Sequence, residues 1–367
     1  MNKTISRRLG LAAVVVVTLI LAVANPVGVR LWHPPTAAAD SLTPFGVSGG
    51  NVKDISTLFC CSGTLGSLVT AQTNNGTGFF ILSNNHVLAR SDSASTGEAI
   101  SQPGLVDNQC RVPPTVANLT AFPSLTSNVD AAIARLTPTS PMDTSGNING
   151  IGTISSNPTV PSAGLLVRKS GRTTGLTNGS VTSFDTNVRV QYQARCGQGK
   201  KFTISFTNQV AVTSNSGSFS AGGDSGSLIV TNDGNNQPVA LLFAGSSTTT
   251  IGNPICEVLS KVSSTYGSPV SFVGNSVGTN GCLTQGSTET QGPSQPHKKA
   301  HDAKERYADQ LMSRPGVIGV GVGNTEDGKG PAVVMYMDNK APGPPFVPAQ
   351  LDGVPVRVIR TETFVSQ

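Results

Sequence analysis

At 367 residues the chain can bury a sizeable core and has room for two or three domains. Its 41 Gly and 24 Pro, with only 12% charged and 5% aromatic residues, suit an all-β protein with many turns. The net charge of +5 is local: residues 1–39 carry Lys3, Arg7, Arg8 and Arg30 and no acid. The remainder has 21 basic against 20 acidic groups, which removes any electrostatic case for nucleic acid or an anionic membrane as partner.

Lys3, Arg7 and Arg8 precede an apolar run from Leu9 to Ala24, with small-residue sites at Ala22-Val23-Ala24 and Ala37-Ala38-Ala39. This is the pattern of an export signal, and the run is short for a membrane span. The expectation for residues 1–39 is a cleaved signal peptide, cut at either site, with a retained N-terminal anchor as the alternative. The mature chain is then secreted or held in the cell envelope. Export leaves six cysteines, Cys60, Cys61, Cys110, Cys196, Cys256 and Cys282. An even number in that compartment favours disulfides, and no Cys-x-x-Cys spacing or nearby His pair argues for zinc. The adjacent Cys60 and Cys61 are poorly placed to bond each other; the connectivity is otherwise open.

From about Pro44 to Val277 short β-rich runs alternate with turn residues. They include Gly66–Thr70, Gly78–Ser83, Gly164–Val167, Val188–Tyr192, Phe202–Phe206, Ser227–Val230 and Val239–Phe243. Asn74-Asn75-Gly76 and Asn232-Asp233-Gly234 are hairpin turns between such runs. Strands at this spacing with almost no helical period point to barrels or sandwiches, with a break near 137–163 and one short helix at Ile255–Tyr266. Asp143-Thr-Ser-Gly-Asn-Ile-Asn-Gly has the look of a calcium loop, but its twelfth position is Ile154 rather than Glu, so it reads as a plain turn.

Residues 284–296 form a polar linker, after which the composition changes. Residues 40–296 hold 12 basic and 12 acidic groups, whereas the much shorter 297–367 holds 9 and 8. An amphipathic helix over Lys298–Met312, strands over 317–322, 332–337 and 354–359, and an Asp327-Gly328 turn predict a small α+β unit.

One stretch carries chemistry: Gly222-Gly223-Asp224-Ser225-Gly226-Ser227, followed by an apolar strand. The glycines permit a tight turn from which the Ser225 hydroxyl can project, with the Gly223 and Ser225 amides aimed at one spot as an oxyanion hole. A serine nucleophile needs a base, and the base needs an orienter. His86 is the one histidine inside the β-rich region; His33 lies in the export segment, and His297 and His301 lie past the linker. Asp130, at the head of the apolar stretch Ala131–Leu136, must be paired if buried, and a His N–H would pair it. Asp224 abuts the serine and is better suited to shaping the turn. An α/β-hydrolase elbow is excluded because Ser227 replaces its second Gly and no histidine follows before the linker.

His86 in Ser-Asn-Asn-His-Val-Leu, Asp130 in Val-Asp-Ala-Ala-Ile-Ala and Ser225 in Gly-Gly-Asp-Ser-Gly-Ser occur in the order His, Asp, Ser. Over residues 45–285 the chain thereby resembles the chymotrypsin-like (trypsin-type, S1) serine proteases. Val167–Leu176, with Gly171-Arg172-Thr173-Thr174-Gly175, resembles the bacterial streptogrisin-like branch. The resemblance implies two six-stranded antiparallel β-barrels in a domain spanning 45–283, with His86 and Asp130 from the first barrel and Ser225 from the second. It implies an exported endopeptidase acting on polypeptides without cofactor or metal. The rival is a catalytically silent homologue that binds a partner through the same cleft.

The departures from the family are informative. Val87 follows His86 where a Cys is common, and Arg168 and Asn178 stand at the branch's cysteine positions, so the disulfide map does not carry over. Phe219 stands where trypsins carry a specificity Asp, which removes the case for a cationic preference. Phe219, Ser220, Ala244 and Gly245 are the candidate pocket residues. Lys169 is a candidate partner for Asp224, in place of the free amino terminus of animal trypsins. Residues 297–367 resemble a small α+β module found beside trypsin-like domains in bacterial proteins.

Overall fold

Gly-, Asn- and Asp-rich turns return the short apolar runs onto their neighbours, and the resulting sheets curl into two barrels. The computed structural model describes residues 42–214, 216–282, 295–341 and 347–367. The expected signal peptide and most of the expected linker lie outside the described residues. Among the described residues no helix is long and apolar enough to cross a membrane.

The first barrel contains β1 (Val47–Asn51), β2 (Gly63–Leu65), β3 (Ser67–Thr73), β4 (Gly76–Ser83), β5 (Ala99–Ser101), β6 (Thr115–Ala121) and β7 (Ala132–Leu136). β2 and β3 are one bent strand interrupted at Gly66, and pairing runs β3-β4-β7-β6-β5-β1-β2, which closes a six-stranded ring. The Asn74-Asn75 loop joins β3 to β4, with Thr73 opposite Gly76, as the turn chemistry predicts. A minimal hairpin, β8 (Asn147–Ile148) and β9 (Gly152–Thr153), sits in the break between the barrels.

The second barrel contains β10 (Leu166–Gly171), β11 (Gly175–Arg195), β12 (Gln198–Thr213), β13 (Leu228–Thr231), β14 (Pro238–Gly245) and β15 (Thr250–Pro254). Its order β10-β13-β14-β15-β12-β11 closes through the β10–β11 pair. The helix expected at Ile255–Tyr266 is present, ends on Gly267 in the left-handed region, and leads to β16 (Ser271–Phe272), which returns to pair with β3 of the first barrel. A one-turn helix α1 (Asn85–Leu88) follows β4, so the Ile255–Tyr266 helix is α2.

Residues 297–367 contribute helix α3 (Lys298–Met312) and strands β17 (Val317–Asn324), β18 (Pro331–Asp338), β19 (Gln350–Leu351), β20 (Val354–Thr361) and β21 (Phe364–Ser366). Ala300, Ala303 and Leu311 of α3 pack on Val320, Val322 and Met335, as the amphipathic period requires. β17 pairs antiparallel with β11, so the sheet of the second barrel continues into this unit. The glycines of Val317–Asn324 have a packing reason: a Cβ on Gly321 would lie 2.2 Å from the Thr186 hydroxyl of β11. β21 was not foreseen from sequence. It lies between the barrel strands, parallel to β11 and antiparallel to β14, with Phe364 fully buried beside Tyr336.

The cysteines form Cys60–Cys110, Cys61–Cys196 and Cys256–Cys282. Cys60 and Cys61 thus pair elsewhere, and Cys61–Cys196 ties the β1–β2 loop to the β11–β12 turn of the other barrel.

Candidate active site

The sequence places His86 at the end of a strand; it lies three residues beyond β4, inside the α1 turn. Asn85 fixes that turn, its Nδ2 donating to Asp92 at 2.6 Å and to the Pro123 carbonyl at 2.9 Å. The His86 backbone N–H then donates to Asp130 Oδ1 (3.1 Å), and its Nδ1 lies 2.6 Å from Asp130 Oδ2. A carboxylate gripping both the backbone and the ring sets the imidazole's orientation and places the Nδ1 proton.

Asp130 is fully buried but not alone. Tyr192 donates its hydroxyl to Oδ2 at 2.8 Å, and the Asp130 backbone N–H donates to Asn253 Oδ1 at 2.9 Å. The Tyr192 bond, with those from the His86 N–H and ring, is made to the carboxylate and offsets the cost of burying the anion; the Asn253 bond holds the Asp130 backbone. Burial alone would push the His86 pKa down; the Asp130 charge and hydrogen bond, with a lesser pull from Asp54, carry it above its ordinary 6.5. Neither Tyr192 nor Asn253 was singled out from sequence. A tyrosine at an inward position of an alternating strand, whose hydroxyl must find a partner, was the available signal.

Ser225 sits in a turn held from three sides. Thr64 of β2 donates its N–H to the Ser225 carbonyl (2.8 Å) and its hydroxyl to the Gly223 carbonyl (3.0 Å). Gly226, at φ +94°, leaves no room for a side chain: a Cβ would meet the Ser83 hydroxyl and the Thr64 carbonyl at 2.2 Å each. Asp224, fully buried, accepts from the Thr173, Thr174 and Ala221 amides and the Thr174 hydroxyl. Lys169 Nζ lies 3.5 Å from Asp224 Oδ2, both side chains being wholly buried, and burial drags the ammonium below its usual range against the pull of Asp224. Ser227, in place of the usual Gly, closes the same turn by donating its hydroxyl to the Asp224 carbonyl at 2.6 Å.

The Ser225 and His86 side chains meet at the backbone of one residue rather than at each other. Ser225 Oγ donates to the Phe243 carbonyl (3.2 Å) and accepts from the Gln367 N–H (3.1 Å), while His86 Nε2 donates to the Gln367 carbonyl (3.2 Å). Among the described residues the Gly223 and Ser225 amides have no hydrogen-bond partner. Of the candidate pocket residues, Phe219 is buried in the barrel core, with Lys169 Nζ 5.8 Å above its ring. The Ser220 hydroxyl bonds that of Thr250, and Ala244 and Gly245 pair with Ser366 and Val365. A cleft of about 800 Å³ continues from Gln367 past His86 and Gly223 to Asp54, Arg172 and Arg195.

The described His, Cys, Asp and Glu side chains converge closely enough for a metal only at Asp185, His301 and Glu305. There Lys304 Nζ already supplies the positive charge, 3.0 Å from Asp185 and 2.7 Å from Glu305.

Two closed six-stranded antiparallel barrels are the architecture expected of a chymotrypsin-like fold. The family model described as the Nal1 C-terminal domain matches residues 120–253. No curated protein matches the chain in sequence. Similar solved structures include a glutamic-acid-specific serine protease that uses a histidine triad in substrate binding, at 22% identity and TM-score 0.41, covering 63% of this chain and 100% of that one. Thermobifida fusca Protease A is similar at 20% identity and TM-score 0.39, with coverage of 63% and 100%. The Cellulomonas bogoriensis chymotrypsin is similar at 18% and 0.38, with coverage of 62% and 98%.

Proposed function

We propose that this chain is an exported serine endopeptidase. Ser225 attacks the carbonyl carbon of a bound peptide, and His86 Nε2 takes the hydroxyl proton and returns it to the leaving amine. Asp130 holds the imidazole and stabilises its cationic form, and the Gly223 and Ser225 amides receive the developing oxyanion. The acyl-enzyme so formed is released by water activated on the same imidazole. The observation that carries this reading is the convergence of Ser225 Oγ and His86 Nε2 on the N–H and C=O of one residue, with Asp130 behind the ring. The three disulfides suit an extracytoplasmic setting.

A silent binding homologue is the second reading, favoured by the Ser225 hydroxyl donating to the Phe243 carbonyl rather than to His86. A fluorophosphonate probe separates the two. Labelling that disappears in Ser225→Ala supports the enzyme. Folded protein that refuses the probe, both intact and with Gln367 replaced by Pro, supports the binder.

A further inference from the structure

The candidate cleft is occupied by the chain itself. β21 lies antiparallel on β14 with Ser366 opposite Ala244 and Val365 opposite Gly245, and the Gln367 N–H donates to the Phe243 carbonyl at 3.2 Å. The residues leading into it are anchored as well. Thr361 bonds the Ser246 and Thr248 hydroxyls, and Glu362 accepts from the Ser247 hydroxyl at 2.8 Å. Phe364 is buried against Tyr336, and Val365 is paired on both sides. This strand addition sets the Gln367 carbonyl against His86 Nε2 and its N–H against Ser225 Oγ, with residues 364–366 on the N-terminal side.

The Gln367 side chain identifies the neighbouring pocket. A Cβ on Gly245 would fall 2.5 Å from Gln367 Nε2 and 2.8 Å from the Thr249 carbonyl, so only glycine there admits the carboxamide. Gln367 Oε1 and the Thr249 hydroxyl are both buried without a hydrogen-bond partner among the described residues. An acceptor lacking a donor thus lies beside a residue whose hydroxyl lacks an acceptor. The two do not pair in this structure, but a side chain with an acceptor that reaches the Thr249 hydroxyl gains a bond that no apolar side chain can make. Gly245 and Thr249 carry no ionisable group, and Lys169 is held by Asp224, so a charged side chain would enter without a counter-ion.

We infer that residues 364–367 act as an intramolecular substrate mimic, and that the cleft takes peptide strands with a polar, uncharged side chain such as Gln at the residue whose carbonyl meets Ser225. This rests on the serine endopeptidase reading. The mimic lowers access to Ser225 until the strand is displaced, and its sequence reports the preference of the cleft.

Gln367→Pro in the full chain removes the N–H that bonds Phe243 and Ser225 while leaving Phe364 buried. Its fluorophosphonate labelling is expected to be faster than that of the unaltered chain by about tenfold or more. With that variant as enzyme, coumarin amides of Thr-Phe-Val-Ser-Xaa should be hydrolysed at least about tenfold faster with Xaa as Gln than as Phe, Lys or Glu. Equal labelling of the two chains overturns the mimic while leaving the protease reading in place. A preference for Phe, Lys or Glu overturns the pocket assignment. If neither chain labels although both show the same thermal transition, the protease reading falls and takes this inference with it.

Discussion

Tyr192 and His86 address the same oxygen of Asp130: the phenol donates to Oδ2 from 2.8 Å, and the imidazole Nδ1 lies 2.6 Å from it. The phenol therefore draws off part of the charge that would otherwise act on the ring, while holding the carboxylate in place.

Tyr192→Phe should raise the apparent pKa of His86, because the carboxylate then presents its full charge to the imidazolium. The acid limb of kcat/KM would move to higher pH, and kcat would fall about tenfold with KM little changed, in line with loss of one bond to a charged group. A pH–rate profile of the variant checks both. An unmoved limb would mean that the phenol serves packing alone.

The pH behaviour should also respond to Asp54. Its burial pushes the carboxyl up to about 6, partly countered by His86 and Arg90, and its charge in turn helps to raise His86. Asp54→Asn should move the acid limb of activity to lower pH. Wild-type stability declines as pH climbs from 3.8 through 6 because the folded state resists ionising this group, so the variant should gain relative stability above pH 6 and none below 3.8. His86 contributes in its own window: its stabilisation is complete below 6.5 and fades as pH rises through its elevated folded value. Thermal unfolding across pH, comparing Asp54→Asn and His86→Gln with wild type, resolves the two.

Lys169→Met should cost about 3–5 kcal/mol in urea unfolding, the usual result of stranding a buried carboxylate. The stranded group is Asp224, which holds the turn through three amides, so labelling of Ser225 should fall with stability. A variant that keeps full labelling would show that the backbone bonds alone hold the turn.

Gly66→Ala tests how tightly the barrels meet. The new methyl carbon would lie 1.9 Å from the Gly226 carbonyl, a backbone atom that cannot swing aside, and must push the turn that carries Ser225. Loss of labelling together with several kcal/mol of stability is expected. Gly76→Ala, at φ +98° in open space, should cost about 1 kcal/mol and leave labelling intact.

Much of this organisation was legible where local chemistry dictates it. Alternating apolar runs and Asn-Gly turns gave the barrel strands, and the glycines around Ser225 with the single histidine of the β-rich region named the residues that converge on Gln367. Lys169 was legible as a partner of Asp224 only through the family resemblance, where it stands in for the free amino terminus of animal trypsins, and the two side chains do meet. The α1 turn that holds His86 three residues past the strand is only four residues long, too short to show a period. Tyr192 sits in an alternating strand like any core aromatic, and only the closure of β11 over Asp130 gives its hydroxyl a role. β21 escaped because Phe364 and Val365 are two apolar residues between polar neighbours; its pairing partners come from another part of the chain, and no local pattern announces them.

β11 spans Gly175–Arg195 and is shared, serving the second barrel along part of its length and β17 along another. Cutting away residues 297–367 would therefore strip the hydrogen-bonding partners from the stretch around Phe184 and Val188. A bare, apolar sheet margin of that kind recruits other molecules edge to edge. A shortened protein would clump before its catalysis could be assessed, so the contribution of this unit is better reached through single-residue changes than by excision.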